Sequence, residues 1–107
     1  MKSRRLPPLT AIRAFDAVAR HASFKAAAEE IGVTPTAISH QIRLLEDSLD
    51  QRLFTRSARS VALTPAGETL FRASGNIFTT LREAVESIET LSHPGTLTLS
   101  YDLELPD

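Results

Sequence analysis

The sequence lacks cysteine and tryptophan, has a single tyrosine, and contains no apolar run long enough to cross a bilayer. Without cysteine, disulfides and thiolate metal sites are excluded. With so few aromatics, RNA binding by bases stacked on a sheet is disfavoured. The basic start at 1–5 leads into Pro7 and Pro8 instead of an apolar core, so no secretory signal is expected. These absences favour a cytoplasmic protein.

The two halves of the chain carry opposite charge. Residues 1–60 hold ten Lys or Arg against six Asp or Glu, a net charge of +4. Residues 61–107 hold two against seven, a net charge of −5, so the formal charge of −1 hides the asymmetry. A basic first half predicts a polyanionic partner on that side.

Three short helices are predicted before residue 50. The first has apolar residues at helical spacing from Leu9 to Ala19 and ends near Arg20-His21. Ser23 is typical of a helix N-cap and Gly32 of a helix stop, which predicts a second helix between them. Thr34-Pro35 opens a third helix. The apolar stripe of this third helix is Ile38, Ile42, Leu45 and Leu49.

A hairpin and a long helix are predicted next. The runs at 53–56 and 60–63 are strand-like and flank a turn at 57–59. Thr64-Pro65 repeats the signal of a capping hydroxyl followed by proline, and the helix it opens extends to about Leu91.

The two helices between Phe24 and Ile42 meet the requirements of a helix-turn-helix. Ala28 is the small residue at the helix crossing, and Gly32 reverses the chain four residues later. The aliphatic residues expected to dock the second helix are Val33, Ile38 and Ile42. The polar residues expected to face outward are Thr36, Ser39, His40 and Arg43. An αα-hairpin inside a core is the alternative, but it does not explain this polar face.

A series of short pieces then occurs in order between Leu9 and Leu91. They are Ala14-Phe15, Ser23-Phe24, Ala27-Ala28-Glu29, Ala37-Ile38-Ser39, Gln41-Ile42, Leu45-Glu46, Leu53-Phe54, Arg56 and Leu63-Thr64-Pro65-Ala66-Gly67. Together they resemble the N-terminal part of LysR-type transcriptional regulators. The pieces most similar to the subgroup of glycine-cleavage and β-lactamase activators are Leu6-Pro7-Pro8-Leu9, Asp16, Arg20-His21 and Ser39-His40-Gln41.

The resemblance implies a mainly α fold with a small β-hairpin wing, that is, a winged helix-turn-helix followed by a long C-terminal dimerisation helix. The expected domains are a DNA-binding domain at 1–63, a linker and dimerisation helix at 64–92, and a hinge with the truncated start of an effector-binding domain at 93–107. Asp50 departs from the usual glycine, although aspartate tolerates a positive φ. The sequence at 95–100 resembles the first strand of the effector domain, which 101–107 do not continue.

The resemblance also implies sequence-specific binding to double-stranded DNA, with the helix at 34–49 in the major groove. The expected DNA-binding residues are Ser23, Lys25, Pro35, Thr36, Ser39, His40, Gln41, Arg43, Arg56 and Arg59. Pro35 and Thr36 would contact a thymine methyl, and Ser39 a base or a phosphate. His40 stands where many members carry arginine, and a histidine there weakens the recognition of guanine. The alternative to a DNA contact is that His40 is a solvated surface histidine.

The other expected contacts are less specific. Gln41 either contacts a base or braces the neighbouring helix. Ser23, Lys25 and Arg43 suit phosphates, which fix register without specifying sequence. The two wing arginines would reach the backbone or the minor groove, with surface ion pairs as the alternative.

Apolar residues of the fourth helix recur with a seven-residue period, a pattern typical of helices that pair. Ser74 falls within this pattern. Homodimerisation is expected through Leu70, Phe71, Ile77, Phe78, Leu81, Val85 and Ile88. Packing within the chain against residues 9–18 is the alternative, and both arrangements can hold along different parts of the helix.

Other classes of function have little support. His21, His40 and His93 lie in different segments, and no phosphate loop or metal-ligand spacing occurs, so neither catalysis nor a cofactor is expected. The expected partners are double-stranded DNA and a second copy of the chain, and a full-length form could also assemble as a tetramer. A small-molecule inducer is expected only if an effector domain is present elsewhere, and no membrane contact is expected. A protein-interaction module, or a dominant-negative short form acting by heterodimerisation, is the alternative.

Overall fold

The computed structural model describes residues 6–56 and 61–92. Its elements are α1 (Leu9–His21), α2 (Phe24–Ile31), α3 (Pro35–Leu49), β1 (Phe54–Arg56), β2 (Val61–Leu63) and α4 (Pro65–Ser92). The chain divides into two compact units, Met1–Gly75 and Asn76–Asp107. The predicted fold class, mainly helical with a small hairpin, is confirmed. The predictions for 57–59 and 93–107 lie outside the described residues.

The short helices begin and end at the residues that the local signals predict. The hydroxyls of Ser23 and Thr34 each accept the backbone N–H three residues on, at 3.0 and 3.1 Å. Gly32 closes α2 with a φ of 87°, and Asp50 closes α3 with a φ of 56°. The expectation that aspartate adopts a positive φ at this turn is therefore confirmed. Ala22 ends α1 in the same left-handed conformation, which no sequence signal predicted.

The core of the first unit is built around Phe15 of α1. Its ring is fully buried and lies 5.3 Å from the ring of Phe54 and 6.5 Å from that of Phe71, measured between centroids. Such aromatic pairs add to the stabilisation from burial alone. The alanines buried between helices are Ala14, Ala17, Ala27 and Ala28. Their small side chains allow α1, α2 and α3 to approach closely.

Three residues expected to be apolar contacts are instead exposed: Val33 at 43%, Leu9 at 51% and Leu49 at 37%. The docking role predicted for Val33 is wrong. Its backbone N–H donates to the carbonyl of Ala28 at 3.0 Å and so closes the turn, while its side chain faces solvent. Leu9 and Leu49 are the terminal residues of their helices.

The hairpin pairs β1 with β2 antiparallel, with Phe54 opposite Leu63. Its base is closed by Thr64, whose N–H donates to the carbonyl of Leu53 at 3.0 Å and whose Oγ1 donates to the carbonyl of Arg52 at 2.6 Å. We call Arg52, Leu53 and Thr64 the wing root. The same Thr64 hydroxyl accepts the N–H of Gly67 at 3.0 Å, so one residue closes the hairpin and caps α4.

The first turns of α4 belong to the first unit and pack against its core. Leu70 and Phe71 contact the core cluster of their own chain. Ser74 is fully buried and its Oγ donates to Oδ1 of Asp16 on α1 at 2.8 Å. Ser74 is therefore a contact with α1 and not a position on an exposed seam. The alternative of packing within the chain holds for this part of the helix.

In the second unit, the described part of α4 carries an exposed apolar stripe. We call this stripe the α4 apolar face; its exposed members are Ile77, Leu81, Val85, Ile88 and Leu91. Phe78 lies beside them and is half-buried. Among the described helices, none combines the length and the apolar character that a membrane span requires.

Candidate nucleic-acid interface

α3 has one buried and one accessible side. Ile38, Ile42 and Leu45 are each at most 1% exposed, as their spacing predicts. We call the accessible side of its first turns the reading face; its members are Pro35, Thr36, Ser39, His40 and Arg43. Ser39 is half-buried and the other four are exposed. Gln41 is half-buried beside this face.

The reading face borders an open depression at the start of α3. The residues lining it are Thr34, Pro35, Thr36, Ala37, Ser39, His40 and Arg43. Within the described parts of the chain, the side chains of the reading face form no hydrogen bond or ion pair. Their donors and acceptors are therefore open to an external partner. The cap at Thr34 holds the helix start in place while leaving these groups uncommitted.

The two residues predicted at the start of α2 differ in their availability. Ser23 is half-buried and its Oγ already accepts the N–H of Ala26. Lys25 is exposed and forms no ion pair with any described residue. The side chain of Lys25 is therefore available to an external partner. The hydroxyl of Ser23 is already used to cap α2.

The hairpin brings the backbone of Arg56 opposite Val61. The side chain of Arg56 and the whole of Arg59 lie outside the described residues, so their predicted contacts stay predictions.

Residues 9–68 match the family model of bacterial regulatory helix-turn-helix proteins of the lysR family, which spans more than half of the chain. The chain belongs to the LysR family. The resemblance inferred from the sequence pieces is confirmed, and the helix-turn-helix lies inside the matched region. This match favours DNA-binding transcription regulation over the alternative of a protein-interaction module.

Two curated relatives are similar to about nine tenths of this chain. It is 51% identical over 98 residues to the glycine cleavage system transcriptional activator of Escherichia coli (strain K12), which covers 92% of the chain and 32% of the relative. It is 45% identical over 103 residues to the transcriptional regulator TrpI of Pseudomonas aeruginosa, covering 89% and 35%. The chain therefore spans about a third of the length of these curated relatives.

Solved structures of LysR-family regulators share the fold. A complex of BenM_DBD with benA site 1 DNA superposes with a TM-score of 0.72 at 26% identity, covering 81% of this chain and 98% of that one. Oxidised OxyR of Corynebacterium glutamicum superposes with a TM-score of 0.79 at 27% identity, covering 92% and 30%.

A polar network between α1 and α2 of this LysR-family chain could not be inferred from the sequence. Arg20 donates to Asp16 at 2.9 Å and to both carboxylate oxygens of Glu30 at 2.9 and 2.6 Å. His21 also contacts Glu30, at 2.7 Å between Nε2 and Oε1. The hydrogen bonds from Arg20 lower the pKa of Glu30 to about 2, and the same bonds raise the pKa of Arg20. This network links α1 to α2.

A catalytic or metal centre has no support in the described residues. No group of three His, Cys, Asp or Glu able to hold a metal occurs within them. His21 is engaged with Glu30, and His40 lies on the reading face. The two relatives described above are named as transcription regulators.

Proposed function

We propose that this chain is the DNA-binding part of a LysR-family transcription regulator and that it binds double-stranded DNA sequence-specifically. In this proposal 1–63 form the DNA-binding domain and 64–92 the linker and dimerisation helix. The helix at 34–49 lies in the major groove with its N-terminal residues against base edges. A regulator of this kind acts on the chromosome in the cytoplasm.

One observation carries the proposal. The reading face presents hydroxyl, imidazole and guanidinium groups to solvent with no bond to any other described residue. An exposed polar surface with open donors and acceptors, on a helix whose other side is buried, is what readout of a groove requires. The similar BenM_DBD structure was solved as a complex with DNA, which supports DNA binding by this chain.

The residues divide by the kind of contact they make. Pro35 and Thr36 provide apolar contact to a thymine methyl, and Ser39 and His40 hydrogen-bond base edges. Gln41 assists from beside the reading face. The residues assigned to the phosphate backbone are Ser23, Lys25, Arg43, Arg56 and Arg59.

Selection of bound sequences from a random duplex library tests the proposal. The chain is expected to enrich a two-fold-related motif. Ser39→Ala should then reduce discrimination between this motif and random DNA by about 1–3 kcal/mol, because a base contact is lost. Ser48→Ala is the matched control: Ser48 lies on the same helix, but its Oγ donates to the carbonyl of Leu45. Absence of enrichment, or equal loss by Ser39→Ala on both DNAs, would contradict the assignment.

We propose also that two copies pair through the α4 apolar face, with the predicted members Ile77, Phe78, Leu81, Val85 and Ile88 at the contact. Large aliphatic side chains exposed in a row along one helix favour pairing with a similar helix. Leu70 and Phe71 contribute less to pairing, since they already contact the core of their own chain.

Sedimentation at micromolar concentration tests the pairing. The wild-type chain should be a dimer, and Leu81→Asp should dissociate it because a carboxylate would be buried in an apolar contact. Thr79→Asp adds the same charge at an exposed residue outside the α4 apolar face and should leave the dimer intact. A monomeric wild-type chain would exclude the proposal. A small-molecule inducer belongs to this proposal only where an effector domain is present elsewhere, and a tetramer only for a full-length form.

A further inference from the structure

Glu46 is a buried carboxylate with no part in the proposed DNA contacts. It lies on α3, and its side chain is only 8% exposed. Its Oε2 accepts the backbone N–H of Leu53 at 2.8 Å. An ionised group is rarely placed in a protein interior without a specific hydrogen-bonding role. Here the hydrogen bond joins α3 to Leu53, the residue just before β1.

Leu53 is held from two directions. Its N–H is bound by Glu46 of α3, and its carbonyl accepts the N–H of Thr64, just before α4. The carbonyl of the preceding Arg52 is bound by the Thr64 hydroxyl. A buried backbone N–H needs an acceptor, but an acceptor supplied by α3 also fixes where the hairpin begins relative to that helix.

The nearby ion pair does not account for Glu46. Nε of Arg52 lies 3.8 Å from Oε2, and the arginine side chain is 70% exposed. An exposed pair at this distance contributes little, because solvent screens it. The hydrogen bond from the backbone N–H of Leu53 to Glu46 is shorter than this ion pair and is buried. A hydrogen bond to a carboxylate is also directional, so it constrains the position of Leu53.

We propose that Glu46 is a positioning residue for DNA binding: its bond to Leu53 fixes the start of the hairpin relative to α3, so that the hairpin and the reading face engage the same duplex. This inference rests on the proposed function. It assigns Glu46 no contact with DNA. The bond acts through the wing root, and its loss is expected to uncouple the wing without removing any charged group from the wing.

The salt dependence of binding measures the wing contribution. Affinity for one fixed duplex of arbitrary sequence is measured over a range of salt concentrations for the whole chain. Each phosphate contact contributes about 0.9 to the slope of log affinity against log salt. Arg59→Ala should therefore reduce the slope by about 0.9 per chain. Glu46→Met, which keeps the length of the side chain but removes the acceptor, should reduce it by at least as much although no wing arginine is lost.

The double variant and a conservative control separate positioning from general destabilisation. Adding Arg59→Ala to Glu46→Met should give no further loss of slope, because the wing contact is already gone. Glu46→Gln keeps an oxygen for the Leu53 N–H and should retain the wild-type slope. Should circular dichroism show Glu46→Met unfolded, Glu46→Asp, which keeps the carboxylate but withdraws it from the Leu53 N–H by one methylene, is expected to lower the slope instead.

The outcomes distinguish this inference from the proposed function. A wild-type chain that does not bind duplex DNA overturns both. A wild-type chain that binds, with an unchanged slope in folded Glu46→Met or, where that variant is unfolded, in Glu46→Asp, overturns the role of Glu46 alone. The same holds if Arg59→Ala leaves the slope unchanged, if its effect simply adds to that of Glu46→Met, or if Glu46→Gln loses the slope.

Discussion

Gly67, in the first turn of α4, has no room for a side chain. A Cβ placed there would collide with the carbonyl oxygen of Leu53 at the wing root and would lie 2.9 Å from Cδ2 of Leu63. Gly75, further along the same helix, has no atom within 4 Å of such a Cβ. The same substitution at these two positions should therefore have opposite effects on stability.

The magnitudes follow from the surroundings of each glycine. In a helix, replacing glycine by alanine stabilises by about 1 kcal/mol, which Gly75→Ala should realise in full. At Gly67 this gain is outweighed by overpacking, which typically costs about 1–3 kcal/mol. The carbonyl of Leu53 cannot move away without weakening its hydrogen bond from the N–H of Thr64. Leu53 is also only 1% exposed, so its neighbours restrict such a movement. With the cost at the upper end of this range, about 3 kcal/mol, and the helix gain of about 1 kcal/mol, we expect a net destabilisation of about 2 kcal/mol for Gly67→Ala.

Thermal unfolding followed by circular dichroism at one fixed protein concentration measures both effects, since pairing would make Tm depend on concentration. Gly75→Ala should raise Tm by about 4–8 °C, and Gly67→Ala should lower it by about 8–16 °C. If Gly67→Ala raised Tm as Gly75→Ala is expected to do, the close approach of α4 to the wing root would be refuted. A wild-type Tm for Gly67→Ala would refute it equally.

Two further predictions concern the polar contacts of α1. Ser74→Ala should lower the free energy of unfolding by about 1.5–3 kcal/mol, because the buried carboxylate of Asp16 loses a hydrogen bond of 2.8 Å. Urea unfolding measures this loss, and a value below about 0.5 kcal/mol would contradict the prediction. Glu30, whose pKa falls to about 2 from 4.5 through its bonds to Arg20, contributes stability that is present above pH 4.5 and lost as pH falls toward 2. Glu30→Gln should flatten stability over that window by less than about 1 kcal/mol, since Glu30 is exposed, and an unchanged acid profile would exclude this role.

Local signals were sufficient to predict the elements of this fold. The caps at Ser23, Thr34 and Thr64 and the stop at Gly32 each depend on residues a few positions apart, so the sequence alone displays them. The reading face could be predicted for the same reason, because helical periodicity separates the buried from the accessible side of α3.

Contacts between distant residues could not be predicted. The spacing of Ser74 fits the heptad of a helical seam, but its hydroxyl donates to Asp16, 58 positions away. Glu46 carried no sign that its oxygen would accept the Leu53 N–H, since the partner is a backbone group that every residue possesses. Val33 was expected to be buried because it is aliphatic, although the turn geometry directs its side chain to solvent. Periodicity identifies a face; it does not identify what that face contacts.

The separation of duties along α3 has a consequence for how such a regulator can diverge. Ile38, Ile42 and Leu45 pack α3 against the core. The side chains of Thr36 and His40 form no hydrogen bond or ion pair with other described residues. Substitutions at exposed positions without such bonds usually change folding free energy by less than about 0.5 kcal/mol. If Thr36 and His40 contact bases as proposed, natural variation at these two positions can change the preferred DNA sequence while the buried side of α3 stays the same.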